Sequence, residues 1–174
     1  KASHPDDPST NRPQALRALQ KLLKKDSTQR EMATKFWNEL KGKGFLRKVE
    51  DLPQATQDKL ASAPISHYFP YNIVFNAHSK STPCRIVVDP LMSGLNELLA
   101  KGVNTLNPLL QVHIAVMSTP EAFSIDIKKM YNCLFMIDDD YCYHRVLWCP
   151  DLDKANEVEE WIIITNMYGV VFAG

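Results

Sequence analysis

Asp126 is the residue of this sequence best placed to bind a metal ion. It lies in the stretch FSIDIKKMYN, where a strand-like pattern ends and a helical turn begins. A carboxylate at such a point, with the backbone carbonyl of Ile127 beside it, offers the oxygen ligands that Mg²⁺ prefers. The alternative is that Asp126 caps the helical turn that follows. Local periodicity alone favours the cap.

A second polar pair lies in the strand-like stretch RIVVD. Arg85 and Asp89 are four residues apart and therefore share one face of a strand. A guanidinium on that face could hold a triphosphate with two hydrogen bonds. An ion pair between Arg85 and Asp89 on an exposed strand is the more common arrangement, so the pair alone is a weak signal.

Two further groups of polar residues have less specific patterns. The stretch IDDDY, with aspartates at 138–140, predicts a solvated turn, because its tyrosine follows the acids rather than preceding them. Cys133, Cys142, His144 and Cys149 lack the close Cys-x₂-Cys spacing of zinc sites, and buried reduced thiols are the better interpretation.

Basic helices occupy the first part of the chain. Leucines at helical spacing predict a helix over 13–25, and apolar residues with a Thr28–Glu31 capping box predict a second that ends at Gly42 or Gly44. A third helix is expected between the prolines at 53 and 64. Lys21, Lys24 and Lys25 are candidate contacts to a nucleic-acid backbone, and a solvated helix face explains them about equally well.

The charge is distributed unevenly, although the chain carries 20 basic and 20 acidic residues in total. Residues 1–50 hold 12 basic and 6 acidic side chains, and the remainder is mildly acidic. No apolar run is long enough to cross a bilayer, and no signal peptide opens the sequence. We expect an intracellular protein, in the cytoplasm, the nucleus or a virus-like particle, and both ends of the sequence suggest a fragment.

The second part of the chain alternates strands, turns and helices. HYFPYNIVFN and CRIVVDP predict a β-hairpin, AFSIDI a strand, and YHRVLW and WIIIT two more strands. Helices are expected between the hairpin and AFSIDI. The pattern predicts an α+β fold, with a flexible lead-in at 1–12, a basic helical region at 13–62 and a mixed region at 63–174.

Taken in order, five stretches of the mixed region resemble the reverse transcriptase of BEL/Pao-type LTR retrotransposons. They are SKSTPCRIVVDP, GLNELLAKG, AFSIDIKKMYN, YHRVLW and NMYG, within residues 65–174. Five ordered motifs at compatible spacings are more specific than any one of them. The resemblance implies fingers and the first half of the palm of a polymerase, and it reverses the preference for a helix cap at Asp126.

The resemblance also implies roles for individual residues. Asp126 would be the first catalytic carboxylate and would bind both Mg²⁺ ions, with a ligand from the Ile127 carbonyl. Tyr131 would stand against the sugar of the incoming nucleotide as a steric gate. Arg85, and less securely Lys80, would contact its triphosphate.

By the same resemblance, Gly169 would begin the segment that contacts template and nucleotide. The partners implied are an RNA or DNA primer–template and deoxynucleotides. The reaction implied is two-metal attack of a primer 3′-hydroxyl on the α-phosphate.

Departures from the family pattern limit these expectations. The aromatic-x-Asp-Asp turn that supplies the other catalytic carboxylates is not in the sequence, and YGVVFAG differs from the serine-rich sequence expected after the glycine. We therefore expect a fragment that is inactive alone, or else a domesticated module with a nucleic-acid-binding or protein-interaction role. Half a palm should also leave strand edges unpaired near 161–172, where we expect self-association or a partner strand.

Overall fold

The structure is a computed structural model, and it describes residues 11–76, 79, 83–100, 103, 105–127, 130–152, 157–167 and 169–170, without the side chain of Leu98. The helices are α1 (Arg12–Leu23), α2 (Ser27–Gly42), α3 (Gln54–Ser62), α4 (Leu95–Leu98) and α5 (Leu109–Met117). The strands are β1 (Leu46–Lys48), β2 (Tyr71–Phe75), β3 (Cys84–Val88), β4 (Arg145–Trp148) and β5 (Glu159–Ile163). Three 3₁₀ turns cover Val49–Asp51, Met130–Cys133 and Asp138–Tyr143.

The strands form two antiparallel sheets. One has the order β1-β5-β4, and the other is the hairpin of β2 and β3, in which Val74 faces Arg85. Helices and antiparallel sheets are thus mixed, which agrees with the α+β class expected from the sequence. The N-terminal helical region also contributes β1, which sequence periodicity did not reveal because the strand has only three residues.

Polar side chains fix the starts of the first two helices, α1 and α2. Asn11 Oδ1 accepts a hydrogen bond from the Tyr68 backbone at 2.9 Å, which fixes the start of α1 against the mixed region. The N-cap of α2 is Asp26, whose side chain accepts from the Gln29 amide at 2.8 Å. The predicted Thr28–Glu31 capping box is therefore wrong, because the N-cap lies two residues earlier than that pattern requires.

One hydrophobic core joins α1, α2 and α4 to both sheets, and three tryptophans lie inside it. Trp37 of α2 stacks on Trp148 of β4 with ring centroids 4.2 Å apart, and Trp161 of β5 meets Trp37 edge-on at 5.7 Å. All three are buried, as expected for core residues rather than for stacking platforms. Aromatic pairs in this geometry stabilise a core beyond the area that they bury.

The expected unpaired edge near 161–172 is wrong for the first part of that range. Strand β5 is the central strand, bonded to β1 on one side and to β4 on the other. The chain beyond it is also engaged, since the Ile164 amide donates to the Phe45 carbonyl and Thr165 bridges Phe135. The N-terminal strand β1 fills the position that we expected to be open.

The four cysteines are all free thiols. Cys84, Cys142 and Cys149 are buried, whereas Cys133 is exposed. Burial raises the pKa of the Cys84 thiol to about 11, so this thiol is in its unreactive protonated form at neutral pH.

Candidate functional site

A basic groove of about 340 Å³ lies between α1 and the hairpin. It is lined by Ala18, Lys21, Leu22, Lys24, Lys25, Tyr71, Asn72 and Ile73. The three lysines proposed from the sequence as nucleic-acid contacts therefore share one surface, and all three are exposed. The wall contributed by β2 could not be foreseen from α1 alone.

The electrostatics of this groove favour an anion. No acidic residue is among its lining residues, and Arg30 lies close by because its Nη1 donates to the Lys25 carbonyl at 2.9 Å. The lysines also surround the C-terminal end of α1, where helix carbonyls attract cations. That attraction is the structural alternative to a role in ligand binding.

Gly169 joins three of the segments that resemble the polymerase family. Its φ is +100°, and a Cβ at this position would stand 3.0 Å from the Val88 carbonyl oxygen and 3.4 Å from Pro90 Cδ. Its own carbonyl accepts a hydrogen bond from Asn96 Nδ2 at 2.9 Å. The position requires glycine, because both the backbone angle and the close approach disfavour a side chain.

Tyr131 and its neighbour Asn132 connect a fourth segment to the same part of the chain. Tyr131 is half-buried and packs against the main core. Asn132 is buried and its Nδ2 lies 3.3 Å from Thr165 Oγ1 and 3.4 Å from the Asn166 carbonyl. Residues 131–132 and 165–166 are thus held together, although no sequence pattern pairs them.

Asp126 lies in an exposed segment without regular structure, so the strand predicted for AFSIDI is wrong. The pattern of alternating residues is present, but a strand needs a neighbouring strand to bond to, and the alternation says nothing about one. The Ile127 carbonyl, which we expected to be a metal ligand, accepts a hydrogen bond from the Met130 amide at 3.1 Å. The 3₁₀ turn begins at Met130, four residues after Asp126, which also differs from a simple helix cap.

The arrangement does not assemble an Mg²⁺ site in the described part of the chain. No group of three or more His, Cys, Asp or Glu side chains among these residues could hold a metal ion. Asp126 offers one exposed carboxylate, and the neighbouring carbonyl of Ile127 is already a hydrogen-bond acceptor. Protein-bound Mg²⁺ usually takes one or two carboxylates and completes its octahedron with water and phosphate oxygens, so Asp126 and Ile127 could supply part of its ligands but do not form a site by themselves.

Arg85 is exposed on β3. Asp89 follows the end of that strand and accepts a hydrogen bond from the Met92 amide at 2.9 Å. No ion pair joins Arg85 to Asp89 or to Asp126 among the residues that the structure describes. Lys80, its expected companion, lies outside the described residues.

Two buried histidines, His67 and His144, lie on the same aromatic ring, that of Phe69, and sequence reasoning did not predict this arrangement. His67 Nδ1 lies 2.9 Å from the Tyr143 carbonyl and its Nε2 lies 2.7 Å from Ser93 Oγ. His67 and His144 both meet the Phe69 ring edge-on. Burial lowers the pKa of each histidine to about 4, so both are neutral at pH 7. They are 77 positions apart, and no local pattern could have paired them.

A buried arginine of β4, Arg145, connects α3 to β5. Arg145 Nη2 donates to the Leu60 carbonyl at 2.5 Å, and its Nη1 lies 3.4 Å from Glu160 Oε2. The Tyr68 hydroxyl donates to Glu160 Oε1 at 3.0 Å, and burial raises the pKa of Tyr68 to about 12. The arginine of the YHRVLW stretch therefore has a structural role in this fold.

Comparison with models of known protein families finds no match for this sequence. Comparison with curated proteins finds no match either. Within the described residues, none of the helices has the length and apolar character needed to traverse a bilayer.

Proposed function

We propose that this chain is the fingers and the first half of the palm of a BEL/Pao-type reverse transcriptase, and that it does not polymerise DNA alone. The observation that carries the proposal is the meeting of separate resembling segments around Gly169. This glycine contacts the end of the RIVVDP strand and bonds Asn96 of GLNELL. Two of the segments on which the resemblance rests are thus in contact although they are 73 positions apart in the chain, which supports the proposal.

Within this proposal, Arg85 recognises the triphosphate of the incoming nucleotide. It is exposed on the hairpin, and a guanidinium binds phosphate oxygens with two parallel hydrogen bonds. Lys80 would add a second cation. Tyr131 would exclude a ribose hydroxyl. Its packing against the core would hold the ring in place for this role.

The proposed cofactor of the complete domain is Mg²⁺, with Asp126 as one of its ligands. Bound Mg²⁺ would neutralise phosphate charge during nucleotidyl transfer. Asp126 and the Ile127 carbonyl supply too few ligands for it, and the sequence contains no aromatic-x-Asp-Asp turn. For this reason we expect no polymerisation by the chain alone.

Nucleotide crosslinking tests the assignment of Arg85. Ultraviolet crosslinking of labelled deoxythymidine triphosphate should fall several-fold in Arg85→Ala. Arg47→Ala is the matched control, since Arg47 is also an exposed arginine on a strand. Equal crosslinking by wild type and Arg85→Ala would refute this role, and extension of a primer–template by the chain with Mg²⁺ would refute its inactivity.

A specific observation favours a second candidate, a nucleic-acid-binding module derived from such a polymerase. The groove of Lys21, Lys24 and Lys25 is formed without any contribution from Asp126. Three phosphate contacts would make the affinity salt-dependent, with log K falling against log salt with a slope of about −2 to −3.

Charge reversal in the groove tests whether it binds nucleic acid. Lys24→Glu should weaken binding to a primer–template duplex several-fold and reduce the salt slope by about 1. Lys35→Glu makes the same charge change on an exposed position of α2 outside the groove and is the control. Equal losses in both variants would mean that only net charge matters, and the groove would not be the binding site.

A further inference from the structure

Helix α5 is apolar over most of its surface, with Gln111 and His113 as its polar residues, yet none of its residues is buried. Its large exposed side chains are Leu109, Leu110, Val112, Ile114, Val116 and Met117. A helix that is apolar all round is normally enclosed by protein. This helix therefore has an unoccupied surface within the described part of the chain.

The segment that follows α5 has a second unoccupied surface. Phe123, Ile125 and Ile127 alternate with Ser124 and Asp126, and their exposed fractions are 89%, 90% and 59%. Their alternation places the three apolar side chains on one face of an extended chain. No backbone hydrogen bond to another described residue engages positions 121–126, so the segment also presents unpaired amides and carbonyls, which template strand pairing.

The chemistry of these surfaces selects among occupants. Between 103 and 120 the sequence has no Lys, Arg, Asp or Glu, so it offers no cation to a nucleic-acid phosphate. A helix that lies on a membrane surface carries a basic polar face, which α5 lacks. Helix α5, which carries no charged side chain, can however meet its own copy without repulsion between like charges, and the acidic residues Glu121 and Asp126 follow it in the chain.

The exposed area fits a dimer. At about 100 Å² of apolar surface for each large side chain, the nine side chains of α5 and 123–127 expose on the order of 600 Å². A standard interface takes about 800 Å² from each partner, and pairing of the 122–127 backbone would supply part of the difference.

We infer that residues 109–127 form the interface of a symmetric dimer of this chain. The 122–127 segments of two copies pair as antiparallel strands about a two-fold axis, and α5 of each copy covers their apolar side chains. Such an interface presents the same surface on both copies. It depends neither on the proposed polymerase ancestry nor on the basic groove.

Sedimentation equilibrium of the whole chain tests this interface. We expect dimers at micromolar concentrations, and a dissociation constant at least about tenfold higher in Ile125→Lys, which corresponds to the loss of one apolar contact residue. Val74→Lys is the matched control, because Val74 is an exposed apolar residue on β2, and its dissociation constant should equal that of wild type. Near-ultraviolet circular dichroism of the tryptophans verifies that each variant is folded.

Amide hydrogen exchange supplies a second measurement. Exchange at 122–126 should slow as the concentration of the chain rises, because pairing between copies protects amides that are open in the monomer. A wild-type chain that stays monomeric at about 100 µM, far above a micromolar dissociation constant, would overturn the inference. Oligomers that persist unchanged in Ile125→Lys, or exchange at 122–126 that does not respond to concentration, would also overturn it.

Discussion

The tryptophan cluster and the 109–127 segment contain similar kinds of side chains in opposite environments. Trp37, Trp148 and Trp161 lie on three different elements and bury one another. The apolar residues of 109–127 lie close to one another in the sequence, and they are exposed in the structure. The difference shows that apolar composition does not decide burial, because burial needs partners from other parts of the sequence.

The largest expected effect of a single substitution separates these two regions. Trp37→Ala removes a stacked ring and an edge contact and leaves a cavity, so we expect a loss of about 4 kcal/mol in the free energy of unfolding. Phe123→Ala removes a ring that is almost entirely exposed and should change that free energy by less than about 0.5 kcal/mol. Urea unfolding of both variants, at concentrations where the chain is monomeric, measures the contrast. Similar losses would show that the 109–127 segment is packed in solution.

Acidification should weaken the core through His67 and His144. Their pKa values of about 4 in the folded state lie below the ordinary value of 6.5. The unfolded chain therefore binds more protons as the pH falls through that interval, and folding loses stability. Between pH 7 and pH 5 we expect a loss of about 2 kcal/mol for each histidine.

The variant His67→Gln separates this effect from the titration of other groups. It removes one titrating side chain and should roughly halve the pH dependence of the unfolding free energy. An unchanged pH dependence would place its origin outside the histidine pair.

Gly169 is expected to have a smaller effect than the tryptophan or the histidine pair. Gly169→Ala places a Cβ against the Val88 carbonyl at a backbone angle that side chains rarely adopt, at a cost of about 1–3 kcal/mol. Gly42→Ala is the control, because nothing lies within 4 Å of its Cβ position and alanine favours the helix. Thermal unfolding of the two variants should shift in opposite directions, and equal shifts would argue against the close contact.

Asp126→Asn should have the smallest effect on stability. The residue is exposed, so the free energy of unfolding should change by less than about 0.5 kcal/mol. Differential scanning calorimetry measures this value. A larger loss would mean that Asp126 has a structural partner in solution, and stability and function could then not be separated at this position.

Local patterns of the sequence predicted the elements that are defined by local features. The leucine spacing of α1, the polar turn of the β2–β3 hairpin and the strands YHRVLW and WIIIT all led to correct predictions. The prediction of a strand at AFSIDI was wrong because a strand must pair with a second segment. The alternating pattern describes only one of the two segments. The same limit concealed β1, which becomes a strand through its pairing with β5.

The candidate sites divide in the same way. The lysines of the basic groove could be identified from the sequence alone, since Lys21 lies in the last turn of α1 and Lys24 and Lys25 follow directly after it. Asn72, on the opposite wall, could not, because its position depends on the packing of β2 against α1. The contact between Ser93 and His67 depends likewise on tertiary structure.

The exposed thiol of Cys133 gives this chain a chemical handle that needs no mutagenesis. The other three thiols are buried, so a maleimide dye or a nitroxide should attach to Cys133 first. The label would sit one residue from Asn132, which is bonded to the chain beyond β5, and six positions after Ile127. A spectroscopic probe placed there would report separately on the packed body and on the apolar segment before it, in the unaltered polypeptide.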